Sequence, residues 1–177
     1  VVDFDGNVVE GALRPSTDLR THLVLYRHFP GIGGIVHTHS PYATGWAQAG
    51  QSIPILGTTH ADHLTEAVPV TEVMTDKMIM GDYEEQTGYQ ITKLFKNKSY
   101  EKTEMVLVAC HGPFAWGKTP EKAVANAVIL EELAKMAMFT LRINPEIGPL
   151  KQTLIHRHHQ RNHGKIAIFG RNNAEYD

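Results

Sequence analysis

Two periods of apolar residues run through this chain and mark its elements. Leu19, His22, Leu23 and Tyr26 recur at helical spacing, which predicts an amphipathic helix over residues 19–28. Pro15-Ser16-Thr17-Asp18 leads into it and Pro30-Gly31 ends it. Ahead of it, residues 1–9 read as a hairpin turning at Asp5-Gly6-Asn7. Gly33-Gly34-Ile35-Val36-His37-Thr38-His39-Ser40 is rich in β-branched residues and predicts a strand. Ser40-Pro41 is a good start for a short helix through Ala49, closed by Gly50. Residues 53–57 and 67–71 are short strand candidates, and the polar stretch 58–63 between them reads as a loop. A helix is expected over residues 83–96, although Gly88 weakens it. Residues 104–110 form a strong strand, broken at His111-Gly112-Pro113 and resumed over 114–117. Thr119-Pro120 caps the best helix, residues 121–141, and a last helix spans 150–163 before Gly164. Residues 166–169 read as a short apolar strand and 171–177 as a loose end. Short strands alternating with helices predict one α/β domain with helices covering the sheet.

The bulk numbers narrow the field. A chain of 177 residues, 42% hydrophobic and 20% charged, can bury a proper core in one domain. A net charge of −2 gives no basic footprint, so no nucleic-acid partner is expected. No run approaches the roughly 20 apolar residues that span a membrane, so no membrane role is expected either. One cysteine, Cys110, cannot build a disulfide framework and fits a reducing, cytoplasmic setting. No signal peptide opens the chain; Val1-Val2-Asp3-Phe4-Asp5-Gly6 reads as the middle of a domain. Eleven histidines are many for this length and direct attention to metal or proton chemistry.

Side chains two apart on a strand share a face, so His37 and His39 stand side by side, either as metal ligands or as a half-exposed polar face. His111 follows a strand at a Gly-Pro break, either as a third ligand or as a loop histidine bonded to backbone. Asp18 begins a helix, where a carboxylate serves as a cap or as a fourth ligand. A cation held this way polarises a carbonyl and steadies the negative charge that develops beside it. Ser16 and Thr17 precede the same helix, and hydroxyls with free N–H groups there suit either capping or a phosphate. Asp62 sits in the polar stretch without a capping job and has the character of a general acid or base. The helix bearing His156-Arg157-His158-His159, Arg161 and His163 reads as a solvated face or as a source of positive charge for a phosphate or a neighbouring subunit.

Taken together, residues 33–40, Trp46-Ala47-Gln48-Ala49-Gly50-Gln51-Ser52-Ile53-Pro54, Gly57-Thr58-Thr59-His60-Ala61-Asp62, Met74-Thr75-Asp76 and His111-Gly112-Pro113-Phe114-Ala115-Trp116-Gly117 resemble the class II aldolase/epimerase family, on its pentulose-phosphate 4-epimerase side. The resemblance extends to about Gly170. It implies a single three-layer domain over residues 1–177, with a largely antiparallel central sheet flanked by helices. It implies a divalent metal, Zn2+ or another such as Mn2+, held by Asp18, His37, His39 and His111. It further implies phosphate contacts at Ser16 and Thr17, a catalytic acid/base at Asp62, and His158 as a residue contributed across a subunit boundary of a homotetramer. The implied activity interconverts L-ribulose 5-phosphate and D-xylulose 5-phosphate by cleaving and remaking the C3–C4 bond. Aldolases of the family carry a Glu acid/base where this chain has Asp18, a shorter carboxylate suited to ligation, which favours the epimerase.

Two departures are visible. The family's N-terminal segment, with an Asn and a Ser-Gly pair that contact substrate, has no counterpart in these residues. Where the family ends in Ala-Tyr-Tyr-Gly, with the second Tyr as the other acid/base, this chain has Ala167-Ile168-Phe169-Gly170. Phe169 has no hydroxyl to transfer a proton. A class II aldolase acting on a related sugar phosphate, or a metal-binding homologue with impaired catalysis, are therefore the alternative expectations.

Overall fold

The computed structural model describes residues 1–163. The expected strand at 166–169, Phe169 and the tail 171–177 lie outside the described residues. The elements in chain order are α1 (Leu19–His28), β1 (Gly34–His37), α2 (Pro41–Gln48), α3 (Thr58–His63), α4 (Asp76–Ile79), α5 (Tyr83–Leu94), β2 (Met105–Val108), β3 (Gly112–Gly117), α6 (Pro120–Ile143) and α7 (Gln152–His163). A single 3-10 turn, Phe95–Asn97, extends α5.

The sheet has the order β1-β3-β2 and both pairings are antiparallel. Alternation along a strand decides which layer each side chain joins. Met105 and Leu107 of β2, with Ala115 of β3, pack beneath Ala43, Ala47, Leu130 and Ala134 of α2 and α6. Val106 and Val108, with Phe114 and Trp116, face the other way onto Leu25 of α1, Phe29 at its C-terminal cap, Ile91 of α5 and Phe95 of the 3-10 turn. Both faces of the sheet are thus buried, and the α/β domain has helices on each side, as the apolar runs in β2 and β3 require. Asn126, buried on α6, pins that helix to the sheet by donating to the Trp116 carbonyl (2.8 Å) and to Glu104 Oε2 (2.8 Å).

Local signals hold for the long elements. α1 has the expected limits. Thr119 caps α6, its hydroxyl accepting from the Lys122 N–H at 3.2 Å. Gly88 has a packing reason inside α5: a Cβ there would lie 2.6 Å from the Val24 Cβ of α1, so its absence lets the two helices approach. Three local expectations change. Residues 58–63 are a helix, α3, rather than a loop; burial of His60 and Ala61 holds a turn that has no apolar period of its own. The strand candidates at 53–57 and 67–71 shrink to single bridges, Ile53 with Val68 and Val70 with Leu107. The histidine strand stops at His37, so His39 lies beyond the ladder. Among the described residues no helix is long and apolar enough to cross a membrane.

Candidate metal centre

β1 lies against the central strand with His37 opposite Phe114, and the two rings stack at 4.1 Å between centroids. The Pro113 carbonyl accepts from His37 Nδ1 at 2.9 Å and from the Thr38 N–H at 3.4 Å. A carbonyl only accepts, so Nδ1 carries the proton and the neutral ring turns the Nε2 lone pair toward its neighbours. Beyond the ladder the chain bends through Thr38, and His39 places its Nε2 3.2 Å from that of His37. His111 arrives from the turn between β2 and β3, where Cys110 has a φ of 63°. Three bonds fix this turn: Ala109 N–H to Thr71 Oγ1 (3.0 Å), Cys110 N–H to the Ala47 carbonyl (2.9 Å) and His111 N–H to the Val108 carbonyl (3.0 Å).

The three imidazoles converge. His37 lies 4.7 Å from His111 and 5.0 Å from His39 between ring centroids, and His39 lies 5.0 Å from His111. One ligand nitrogen from each falls within 4.8 Å of the others. Gly112 makes room for them: a Cβ there would sit 2.9 Å from the Thr38 carbonyl oxygen and 3.2 Å from His39 Cδ2. Three mutually facing imidazoles with one lone pair already oriented are the donor set of a zinc-type cation, so the residues present fit the metal the family implies.

Electrostatics keep the His37 and His111 rings ready for ligation. Burial pushes the His37 pKa down; the Pro113 bond and the Asp18 charge oppose it, and His39 adds to the lowering. Burial also lowers His111, helped by His37 and His39 and opposed by Asp18 and Glu84. Neutral imidazole is the ligating form. Asp18 stands at the N-cap position of α1, yet its side chain makes no cap bond. Its carboxylate belongs to the field of the cluster rather than to the helix end, although it lies outside the tight group of three. Ser16 and Thr17 are exposed just before α1, and Ser16 Oγ accepts from the Asp18 N–H at 3.2 Å.

Asp62 builds a second group, on α3 against α7. Its Oδ1 is 2.9 Å from His158 Nδ1, 2.7 Å from Asn162 Nδ2 and 3.4 Å from Arg161 Nη2. His163 Nε2 lies 2.9 Å from the Asp62 backbone carbonyl. The histidine-rich helix therefore turns part of its polar face onto Asp62 of the same chain rather than only to solvent. Three participants escaped the sequence reading. Asn162 sits one helical turn beyond His158, a spacing that had the signal. Tyr83, whose hydroxyl is 3.4 Å from His111 Nδ1, and Glu131, whose carboxylate accepts from the N–H groups of Tyr42 and Ala43, reach their partners through long-range packing that leaves no local mark.

With this geometry in view, the kinship of the chain is informative. Residues 1–138 match the family described as Class II Aldolase and Adducin N-terminal domain. The chain is 48% identical over 170 residues to "L-ribulose-5-phosphate 4-epimerase UlaF" of Salmonella paratyphi C (strain RKS4594), covering 96% of this chain and 75% of that protein. The protein of the same name from Salmonella typhi matches at the same identity and coverage. Among solved structures, an "L-fuculose 1-phosphate aldolase" superposes with a TM-score of 0.70 at 24% identity, covering 90% of this chain and 69% of that one. A second, from Glaciozyma antarctica PI12, gives 0.69 at 16% identity, covering 90% and 58%; both show the shared fold. The helix-flanked antiparallel sheet, the histidine cluster and this sequence kinship together place the chain in the class II aldolase and adducin N-terminal domain family.

Proposed function

We propose that this chain is a divalent-metal-dependent enzyme that interconverts L-ribulose 5-phosphate and D-xylulose 5-phosphate. The observation that carries the reading is the convergence of His37, His39 and His111 within 4.8 Å, in a chain 48% identical to proteins named for that epimerisation. These three imidazoles would hold the cation, zinc or manganese, with Asp18 as the fourth ligand. When bound, the metal supplies positive charge beside a sugar carbonyl and its neighbouring hydroxyl. Ser16, Thr17 and the N–H groups of the first turn of α1 receive the phosphate. Asp62 takes the proton of the C4 hydroxyl as the C3–C4 bond breaks, its electron pair passing toward the C2 carbonyl of the three-carbon fragment and C4 becoming the aldehyde of glycolaldehyde phosphate; it returns the proton after the aldehyde rotates and the bond re-forms. His158 keeps the Asp62 carboxylate oriented through their 2.9 Å contact. Residues 1–177 act as a single domain of a cytoplasmic homotetramer; exposed apolar side chains along α6, among them Val128, Phe139 and Ile143, support self-association.

Incubation with zinc and L-ribulose 5-phosphate, followed by NMR, tests the proposal. D-xylulose 5-phosphate without accumulated fragments is the expected product. Phe169, at the position of the family's catalytic tyrosine, favours a second reading, an aldolase. Accumulating glycolaldehyde phosphate would establish that reading instead, and no turnover of a zinc-loaded chain would refute both.

A further inference from the structure

α2 is the element shared by two of the three histidines. It begins at Pro41, two residues after His39, and its Ala47 carbonyl accepts from Cys110 N–H at 2.9 Å, one residue before His111. Ser40 holds the N-cap position, yet its hydroxyl caps nothing. Pro41 has no N–H, so the donors that need partners at this helix end start with Tyr42 and Ala43. Both are taken by one carboxylate reaching across from α6: Glu131 Oε1 lies 2.9 Å from the Tyr42 nitrogen and Oε2 2.8 Å from that of Ala43. The carboxylate accepts both bonds, and its charge faces the positive end of the helix dipole. Two parallel bonds from a planar group fix rotation as well as position. α6 is in turn anchored to the sheet through Asn126, so Glu131 refers α2 to the rigid part of the fold.

We infer that Glu131 is a positioning residue of the metal centre. It clamps the first turn of α2, which holds the chain at His39 directly and the turn bearing His111 through Ala47 and Cys110. The inference rests on the metal reading proposed above. It concerns the strength with which the three rings hold a cation and involves no contact between Glu131 and the cation or substrate.

The test compares wild type, Glu131→Ala, Glu131→Gln and Thr119→Ala for zinc affinity, by competition with a chromophoric chelator well below their melting temperatures. Thermal melts of the metal-free proteins are measured alongside. Thr119→Ala removes the cap of α6 itself and reports on a stability loss that leaves the α2 clamp intact. Glu131→Ala is expected to weaken zinc binding by about tenfold or more, the scale found for residues that orient metal ligands. Glu131→Gln, which keeps one acceptor oxygen, is expected to fall between it and wild type, and it decides the matter if the alanine variant does not fold. Thr119→Ala is expected to melt earlier with wild-type zinc affinity. Glu131 variants with wild-type affinity, or Thr119→Ala losing zinc as readily as Glu131→Ala, would overturn the inference. A wild-type chain that binds no zinc would overturn the metal reading first, and this one with it.

Discussion

His60 makes the sharpest physical prediction. It lies in α3, two residues before Asp62, and is 5% exposed. Burial drives its pKa down from 6.5 to about 4; the carbonyls of Glu66 and Pro54 pull the other way, and His63 adds to the lowering. The ring is therefore neutral in the folded chain across a range where the unfolded chain has taken up a proton. Above pH 6.5 both states are neutral and His60 makes no pH-dependent contribution. As pH falls from 6.5 toward 4 the unfolded state binds the proton and the folded state does not, so stability declines. At about 1.4 kcal/mol per pH unit, the whole interval amounts to about 3 kcal/mol. In a chain of this size that corresponds to a fall in melting temperature on the order of 10 °C. The assay is urea unfolding of the metal-free protein at pH 7 and pH 4.5, for wild type and for His60→Gln, which has no proton to gain. Other buried histidines contribute equally to both proteins, so the difference between their pH slopes isolates His60. Wild type should lose about 2–3 kcal/mol more than the variant over this interval. Equal losses in the two proteins would refute the reasoning, because the buried ring would then be titrating as it does in water.

Further outcomes follow from contacts already described. Gly112→Ala drives a Cβ against the Thr38 carbonyl and His39, and is expected to weaken zinc binding at least about tenfold in the same chelator competition. Asp62→Asn keeps the shape of the side chain but removes its basicity; turnover should fall by about a hundredfold or more, with zinc content unchanged. Gly88→Ala gains about 1 kcal/mol of helix propensity but forces overpacking against Val24 that costs about 1–3 kcal/mol, so the melting temperature should drop. Adding Val24→Ala should recover part of that drop, and a Gly88→Ala single variant that melts later than wild type would disprove the close approach of α1 and α5.

Legibility in the sequence divides along the range of the forces involved. α1, α6 and β2 were readable because each carries its own signal: an apolar period, a cap, an uninterrupted run of Met-Val-Leu-Val. The pairing of His37 with His39 was readable from their spacing, although the expected reason was incomplete, since His39 lies past the end of the strand and is brought to His37 by the bend at Thr38. α3 was not readable. Thr-Thr-His-Ala-Asp-His has no apolar period, and it is helical because Ala61 packs with Ile55 just upstream and with Ile155 of α7, a residue distant in sequence. The same holds for the acceptor of the Tyr42 and Ala43 donors: Ser40 was the local candidate, and Glu131 from another helix is the partner. Residue types, spacing and the motifs of the family were thus determined by the sequence alone, and they named the eight residues on which the proposed chemistry rests. Which of them meet was decided only by the antiparallel register that sets β1 beside β3 and by the docking of α7 on α3. Hydrogen bonds and metal ligation act over a few ångströms, whereas the packing that brings His111 to His37, and Asp62 to His158, is set by burial summed over the whole core.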